Sequence, residues 1–283
     1  MAGPLLAFHA RFDKLAQARS PFCLGLDPTE ELLSAYGLSD NAQGLKSFCR
    51  IIVEAAQDHL SLVKPQSAYF ERFGPQGMEI LRDTVKDFQK VGTLVLLDVK
   101  RSDIGSTLCA YAQAYLGSGS AFGANAMTAT AYLGFDALKP LFERAAKTST
   151  AVFVVVASSN PEGEALQSAR MDNGKSIIEH LADAISDCNK TYAQARPAHA
   201  VIGATRADVD AKFLARLNGA LVLAPGIGAQ GAKLDKLPPA LLSVRQNLIP
   251  MAARSVLGAG PDIKSLARAI TAHCESARLI QNQ

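Results

Sequence analysis

The amino-acid sequence predicts an α/β fold, a (β/α)8 TIM barrel with an extra helix at its N-terminus. Two observations predict it. Short apolar runs rich in β-branched residues alternate with longer amphipathic stretches along the chain. Eight such units fit within about 260 residues, the usual size of this barrel, and their spacing of about 25 to 45 residues suits parallel strands joined by helices rather than hairpins. An open, doubly wound sheet is the alternative that shares this alternation.

The elements follow in order along the chain. Apolar residues at helical spacing come first, at Leu5, Leu6, Phe8, Phe12 and Leu15. They predict a leading amphipathic helix, and the segment lacks the long apolar stretch of a signal peptide. Helical patterns lie between the strands, for example at 45–60 and 77–91. We predict the strands at 22–27, 61–66, 93–100, 125–130, 151–158, 200–205, 220–225 and 248–254.

The composition is that of an ordinary globular protein, and we expect one domain spanning residues 1–283. Hydrophobic residues make up 48% of the chain and charged residues 19%, with a formal net charge of +3. So small a charge gives no electrostatic reason to expect binding to nucleic acid or a membrane surface. No apolar run reaches the roughly 18 residues that a membrane span needs.

The cysteine and histidine patterns argue against disulfides and metal sites. The five cysteines are scattered and odd in number, and none forms a CxxC pair. This is typical of reduced thiols, so we expect a cytoplasmic protein. The five histidines are dispersed, without HExxH or another metal-ligand spacing, so the sequence predicts no metal site.

The connection at 159–174 is the longest stretch without a regular pattern. It is polar and contains glycine, and long loops in compact domains are often functional. We therefore predict an irregular functional loop after the fifth strand, with a closing lid as a hypothesis.

The segment LVLLDVKRSDIGST, residues 94–107, crowds charges at the end of an apolar strand. The active site of a barrel lies at the C-terminal ends of its strands. Asp98 and Lys100 are two residues apart, so a regular strand places both on one face. Lys64 comes from the neighbouring strand and Asp103 from the following loop. A structural ion-pair network fits this pattern. So does a catalytic site, because carboxylates favour the charged form of a lysine and a rigidly held ammonium can donate a proton to carbon.

A glycine-rich segment, APGIGAQGAK at 224–233, follows the seventh predicted strand. A nicotinamide-binding motif places its glycines after the first strand of a nucleotide-binding unit, with an acidic residue about 20 residues further on. Here the glycines follow the seventh strand, and the next strand ends in Arg254 and offers no acidic residue. In a barrel, the loops after strands 7 and 8 commonly bind phosphate. Backbone N–H groups of the loop, with Gln230 and the guanidinium of Arg254, are therefore predicted to grip a phosphate.

Five ordered motifs give the chain a specific resemblance to a known family. LLDVKRSDIGST, LVKPQSAYFE, SSNPEG, LAPGIGAQG and AARS resemble the signature segments of orotidine 5′-phosphate decarboxylase, in the wording of its longer bacterial (type 2) subclass. The resemblance runs from about Phe22 to Ser255. It implies a lyase that forms uridine 5′-monophosphate (UMP) in the last step of de novo pyrimidine synthesis, without cofactor or metal.

The resemblance also implies a role for each matching residue. It implies a catalytic tetrad of Lys64, Asp98, Lys100 and Asp103, with Lys100 as proton donor to C6 of the pyrimidine and Asp98 against the departing carboxylate. It implies a homodimer with shared active sites, because the last aspartate and the residues after it enter the partner's site in this family. The implied substrate-binding residues are Asp27, Ile104, Thr107, Ser159, Pro225, Gly226, Gln230 and Arg254.

Two departures and several alternatives remain at this point. Thr130–Ala131 stands where the subclass usually has Asn-Pro, and Ala252–Ala253 precedes Arg254 where many relatives have glycine or serine. A magnesium-dependent sugar-phosphate decarboxylase of the same superfamily is one alternative. Such an enzyme is expected to have a metal-binding acidic residue at the position that Lys64 occupies in this chain. A Schiff-base aldolase using Lys100 is another, and needs an uncharged lysine. A barrel that only binds a nucleotide is the non-enzyme alternative.

Overall fold

Eight parallel strands form a closed barrel, in chain order, among the residues described by this computed structural model, 5–206, 209–228 and 231–282. Each strand pairs with the next, and β8 pairs with β1 through Cys23 and Met251. The closed order confirms the predicted barrel and excludes the open sheet. The strands are β1 (Cys23–Leu26), β2 (Leu62–Pro65), β3 (Leu94–Arg101), β4 (Ala126–Ala129), β5 (Ala151–Ala157), β6 (Ala198–Ile202), β7 (Val222–Ala224) and β8 (Leu248–Ala252).

All eight predicted strand segments overlap an observed strand, but the sixth prediction, 200–205, was wrong at both ends. Strand β6 begins at Ala198, whose N–H and carbonyl both bond the side chain of Asn189 on the preceding helix. It ends at Ile202, and the N–H of the next residue, Gly203, donates to the carbonyl of Ala157 on β5. Both contacts are tertiary, so local periodicity did not reveal them.

Helices surround the barrel, and polar side chains cap several of them. Asn41 accepts from the N–H of Gly44, and Ser176 forms a capping box with Glu179. Short 3₁₀ turns lie at Asp136–Leu138, Pro161–Gly163, Leu234–Lys236 and Arg245–Asn247. The helices are α1 (Phe8–Ala18), α2 (Glu30–Ala35), α3 (Ala42–Ala55), α4 (Ala68–Glu71), α5 (Gly74–Lys90), α6 (Gly105–Tyr115), α7 (Lys139–Thr148), α8 (Glu164–Gln167), α9 (Ile177–Thr191), α10 (Ala211–Ala215), α11 (Pro239–Leu242), α12 (Arg254–Leu257) and α13 (Ile263–Gln281). None of the helices in the described ranges is long and apolar enough to cross a bilayer.

Helix α1, the predicted extra helix, closes the N-terminal end of the barrel. Phe8 and Phe12 are almost fully buried and belong to the cluster that fills the barrel interior. The ring of Phe8 meets Phe153 of β5 edge-on, with the ring centroids 5.9 Å apart. Because this end is plugged, the opposite end, where the strands finish, is the one open to a ligand.

Two arginines fasten α1 to the loops around it. Arg11 donates to the carbonyl of Ser149 at 2.6 Å. Arg19 donates to the carbonyls of Leu60 at 2.7 Å and Val91 at 3.0 Å. Charged donors on backbone carbonyls are among the stronger hydrogen bonds in a protein.

We expect Arg19→Ala to lower the free energy of unfolding by about 2–3 kcal/mol, because partly buried carbonyls lose a charged donor. Urea unfolding followed by circular dichroism measures this. Arg82→Ala is the control, since among the described residues Arg82 forms only an exposed ion pair with Asp83 and such pairs contribute little. Equal stability of the two variants would contradict the fastening role of Arg19.

Candidate active site

A cavity of about 290 Å³ opens at the C-terminal ends of the strands, opposite α1. Its position is the one at which barrel enzymes carry their active sites. Successive strands thus place the polar residues at their C-terminal ends on one concave surface. Of the predicted site residues, those that line it are Asp27, Lys64, Asp98, Lys100, Ser159, Pro225, Gly226 and Arg254.

Asp98 is the centre of the charged cluster. Lys64 Nζ lies 2.6 Å from its Oδ2, and Lys100 Nζ lies 2.7 Å from its Oδ1. Lys64 and Asp98 are buried, whereas the side chain of Lys100 is 49% exposed. The structure therefore brings three of the four predicted tetrad residues into direct contact, with the ammonium of Lys100 the more accessible of the two.

Burial and charge act in opposite directions on this cluster. Burial favours the neutral carboxyl, but Lys64 and Lys100 outweigh it and hold the pKa of Asp98 well below its usual range. Burial likewise acts to lower the pKa of Lys64, yet the carboxylates of Asp98 and Asp27 outweigh it and raise that pKa. Lys64 and Asp98 are consequently ionised at neutral pH, so that a fixed negative charge lies between two amines.

The backbone geometry that brings Lys100 to Asp98 differs from the regular strand predicted from the sequence. A regular strand was expected to put both side chains on one face, but the backbone of Lys100 is left-handed, with φ of 43°. The pairing of β3 with β4 slips between Leu97 and Arg101 at the same place. The two residues meet because the strand bulges there, not because its alternation is regular.

Thr128 and Gln66 also bind Asp98, and sequence reasoning missed both. The Thr128 hydroxyl donates to Oδ1 at 2.8 Å, and Gln66 Nε2 donates to Oδ2 at 3.1 Å. Gln66 is two residues after Lys64, so the period of a strand was a signal that could have found it. Thr128 is a buried hydroxyl within a strand otherwise made of alanine and methionine, and a buried hydroxyl requires a partner.

Asp27 lies at the end of β1 beside this cluster. Burial raises the pKa of its carboxyl, and the charge of Lys64 opposes that shift. Its Oδ1 is buried and has no hydrogen-bond partner among the described residues. A buried acceptor without a partner is unfavourable, so this oxygen is suited to a donor from a ligand, such as a sugar hydroxyl.

The glycine-rich segment follows β7, as predicted. Gly226 and Gly228 have φ of 107° and 81°, values that suit glycine. A Cβ on Gly228 would lie 2.6 Å from Oγ of Ser255, so this glycine lets the loop lie against α12. Arg254 is the first residue of α12 and lines the cavity on this side, whereas Gln230 lies outside the described residues. Backbone groups and one arginine thus border the cavity where a phosphate is expected.

The 159–174 connection is more ordered than the sequence indicated. It contains the 3₁₀ turn Pro161–Gly163 and helix α8, so the prediction of an irregular loop was wrong. Arg206, after β6, donates to the carbonyl of Ser158 at 2.8 Å and to Gln167 Oε1 at 2.6 Å. Gln167 in turn donates to the hydroxyl of Ser158 at 2.7 Å. This network depends on a contact with a distant segment, and it ties the loop that carries Ser159 to the rim of the cavity.

Asp103, Ile104 and Thr107 do not line the cavity of their own chain. Asp103 accepts a hydrogen bond from the adjacent N–H of Ile104 at 2.8 Å. Ile104 is 62% exposed, and Tyr132 in the loop after the neighbouring strand is 78% exposed. The structure therefore separates these three predicted residues from the Lys64–Asp98–Lys100 cluster and leaves them on an outer surface at the same end of the barrel.

Comparisons with known proteins match the chain to one family along most of its length. The sequence model of the orotidine 5′-phosphate decarboxylase / HUMPS family matches residues 20–270. An orotidine 5′-phosphate decarboxylase of Myxococcus xanthus is 50% identical over 273 residues, 96% of this chain and 95% of the relative. One of Salinispora tropica is 44% identical, covering 96% and 98%.

A solved structure shows the same fold. It comes from Streptomyces avermitilis and is provisionally described as an orotidine 5′-phosphate decarboxylase. It superimposes with a TM-score of 0.94 at 38% identity, covering 99% of this chain and 97% of that one. The sequence and structural matches thus extend over nearly the whole chain, and the protein belongs to the orotidine 5′-phosphate decarboxylase / HUMPS family.

Proposed function

We infer that the protein decarboxylates orotidine 5′-phosphate to UMP in pyrimidine synthesis, with Lys100 as the proton donor to C6. The observation that carries this assignment is the buried Asp98 carboxylate held between Lys64 and Lys100 at the cavity wall. The names of relatives that are 50% and 44% identical over nearly the full chain support the same reaction.

The chemistry needs a group that stabilises negative charge on carbon. When the bond from C6 to the carboxylate breaks, carbon dioxide leaves and the electron pair stays on C6. An ammonium at that position stabilises the developing charge and then transfers its proton to C6, forming UMP. Lys100, half-exposed beside the cavity and anchored at 2.7 Å to Asp98, is placed for both steps and afterwards regains a proton from water.

Asp98 has two parts in this proposal. It fixes the ammonium of Lys100, and its own negative charge lies near the substrate carboxylate. Like charges in a water-poor site repel, and carbon dioxide is neutral, so the repulsion is relieved as the reaction proceeds. Lys64, itself 2.6 Å from Asp98, keeps that carboxylate ionised.

The remaining contacts bind the parts of the substrate that do not react. Asp27 and Lys64 hold the ribose hydroxyls, which supplies the missing partner for the buried Asp27 Oδ1. Ser159 bonds the amide edge of the pyrimidine. The phosphate lies between Arg254 and the loop of Pro225, Gly226 and Gln230. Binding energy from this remote phosphate offsets the cost of placing the substrate carboxylate beside Asp98.

The proposed active unit is a homodimer. Asp103, Ile104 and Thr107 enter the site of the partner subunit, and Asp103 completes its tetrad. None of the three lines the cavity of its own chain, and Ile104 and Thr107 are exposed, which supports this arrangement. We further propose one domain over residues 1–283, without cofactor or metal, in the cytoplasm. The free thiols of all five cysteines support a reducing compartment.

The alternatives fit the residues less well. A magnesium-dependent decarboxylase is expected to have an acid where this chain has Lys64, whose ammonium lies against Asp98. A Schiff-base enzyme needs an unprotonated amine, whereas Lys100 forms an ion pair.

The assay follows loss of the orotate chromophore with purified protein, in EDTA and in magnesium. We expect equal turnover to UMP in both, because no step of the proposed mechanism uses a metal. Absence of turnover in EDTA would overturn the assignment, and turnover restored only by magnesium would favour the metal-dependent alternative. A covalent adduct trapped at Lys100 by borohydride would favour the aldolase.

A further inference from the structure

We propose that Thr128 of β4 is a positioning residue that sets the geometry of Asp98 and Lys100, an inference that rests on the proposed decarboxylation. Its hydroxyl makes three hydrogen bonds. It donates to Asp98 Oδ1 at 2.8 Å, and it accepts from the N–H groups of Val99 at 3.0 Å and Lys100 at 2.9 Å. One side chain thereby bonds both the carboxylate of Asp98 and the backbone N–H of Lys100, the proposed proton donor.

The Thr128 hydroxyl replaces backbone acceptors that the irregular pairing of β3 with β4 leaves out. Leu97 pairs with Met127, and the next register pair is Arg101 with Ala129, so β3 has more residues than β4 between the two pairs. The N–H groups of Val99 and Lys100 fall within this slip. The Thr128 hydroxyl accepts both, which satisfies two donors that the bulge removes from regular pairing.

The same contacts stabilise an unfavourable backbone conformation at Lys100. Lys100 has φ of 43°, in the left-handed region that residues with a Cβ seldom adopt. Such a conformation persists only where the surroundings fix it. Two contacts help to fix this conformation: the Thr128 hydroxyl accepts from the N–H of Lys100, and Asp98 accepts from its Nζ. The Thr128 hydroxyl also donates to Asp98.

The direction of the hydrogen bonds is also determined. A hydroxyl has one proton and two acceptor positions. Because both backbone groups can only donate, the proton of Thr128 goes to Asp98 Oδ1, and such a hydrogen bond is stronger to a carboxylate than to a neutral carboxyl. Thr128 therefore favours the charged form of Asp98 and orients the oxygen that anchors Lys100.

The test compares variants of Thr128 with a matched control at the other end of the barrel. Thr128→Val keeps the shape and removes the hydroxyl, and Thr128→Ser keeps the hydroxyl. Thr93→Val is the control, because Thr93 is also buried and its hydroxyl donates to the carbonyl of Leu60 at 3.1 Å, near α1. For each variant we would measure kcat and KM for orotidine 5′-phosphate, the Kd of UMP and the melting temperature.

We expect Thr128→Val to lower kcat by on the order of 100-fold, since misplaced catalytic groups cost about this much. KM and the UMP Kd change little, because the proposed phosphate and ribose contacts lie elsewhere. Thr128→Ser recovers most of kcat, and Thr93→Val lowers the melting temperature without lowering kcat.

An unchanged kcat in Thr128→Val, or a Thr128→Ser variant as slow as Thr128→Val, would overturn the proposal. Should Thr128→Val not fold, Thr128→Cys against Thr128→Ser is the second comparison, because a thiol is the weaker hydrogen-bonding group. A lower kcat for Cys supports the proposal, and equal values overturn it. Absence of wild-type turnover overturns the decarboxylase assignment itself, which separates the two failures.

Discussion

Lys100→Ala is expected to reduce kcat for orotidine 5′-phosphate by on the order of 10³-fold or more, because the reaction loses both its proton donor and the cation nearest the developing charge. The fold and the binding of UMP should persist. Lys100 is half-exposed and lies at the end of β3, and the groups proposed to bind ribose and phosphate come from other strands.

The measurement is turnover with the UMP Kd and the melting temperature determined in parallel. Lys90→Ala is the control, because Lys90 also forms a 2.8 Å ion pair with an aspartate, Asp87, but does so on the exposed end of α5. Lys90→Ala should have wild-type kcat. Near-normal turnover in Lys100→Ala would rule out the proton-donor role, whereas loss of UMP binding in that variant would mean that the residue binds rather than reacts.

Mixing inactive Asp103→Ala with inactive Lys100→Ala protein is expected to restore activity. If Asp103 serves the partner's site, a mixed dimer has one site with both residues intact and one site lacking both. Random exchange makes half of the dimers mixed, so recovery should reach about one quarter of wild-type activity. If both residues served one chain, every site would lack one of them and no activity would return.

Subunit exchange must be shown separately, for example with differently tagged chains and native mass spectrometry. The matched control mixes Lys100→Ala with the Lys100→Ala/Asp103→Ala double variant, which exchanges equally but contains no intact Lys100. Activity in the control would expose contamination. Confirmed exchange without recovery in the test mixture would contradict a shared site and leave the position of Asp103, outside the cavity of its own chain, unexplained by the dimer.

The sequence predicted those features that depend on local pattern. The alternation of strands and helices gave the barrel, and the charges at the ends of β2 and β3 gave the Lys64–Asp98–Lys100 cluster. It could not give the left-handed backbone of Lys100, because that conformation results from a slip in pairing with β4. The contacts of Thr128 depend on the same slip, so no periodicity in β4 alone could reveal them.

The docking of α1 has a consequence for the order in which the protein is made. The helix leaves the ribosome before its partners, because Arg11 bonds Ser149, 138 residues later in the chain, and Phe8 packs on Phe153 and His199. Its aromatic face therefore has no native partner during most of synthesis, a period in which exposed apolar surface favours aggregation. Burial of this helix must therefore wait until at least β5 and β6 have been made.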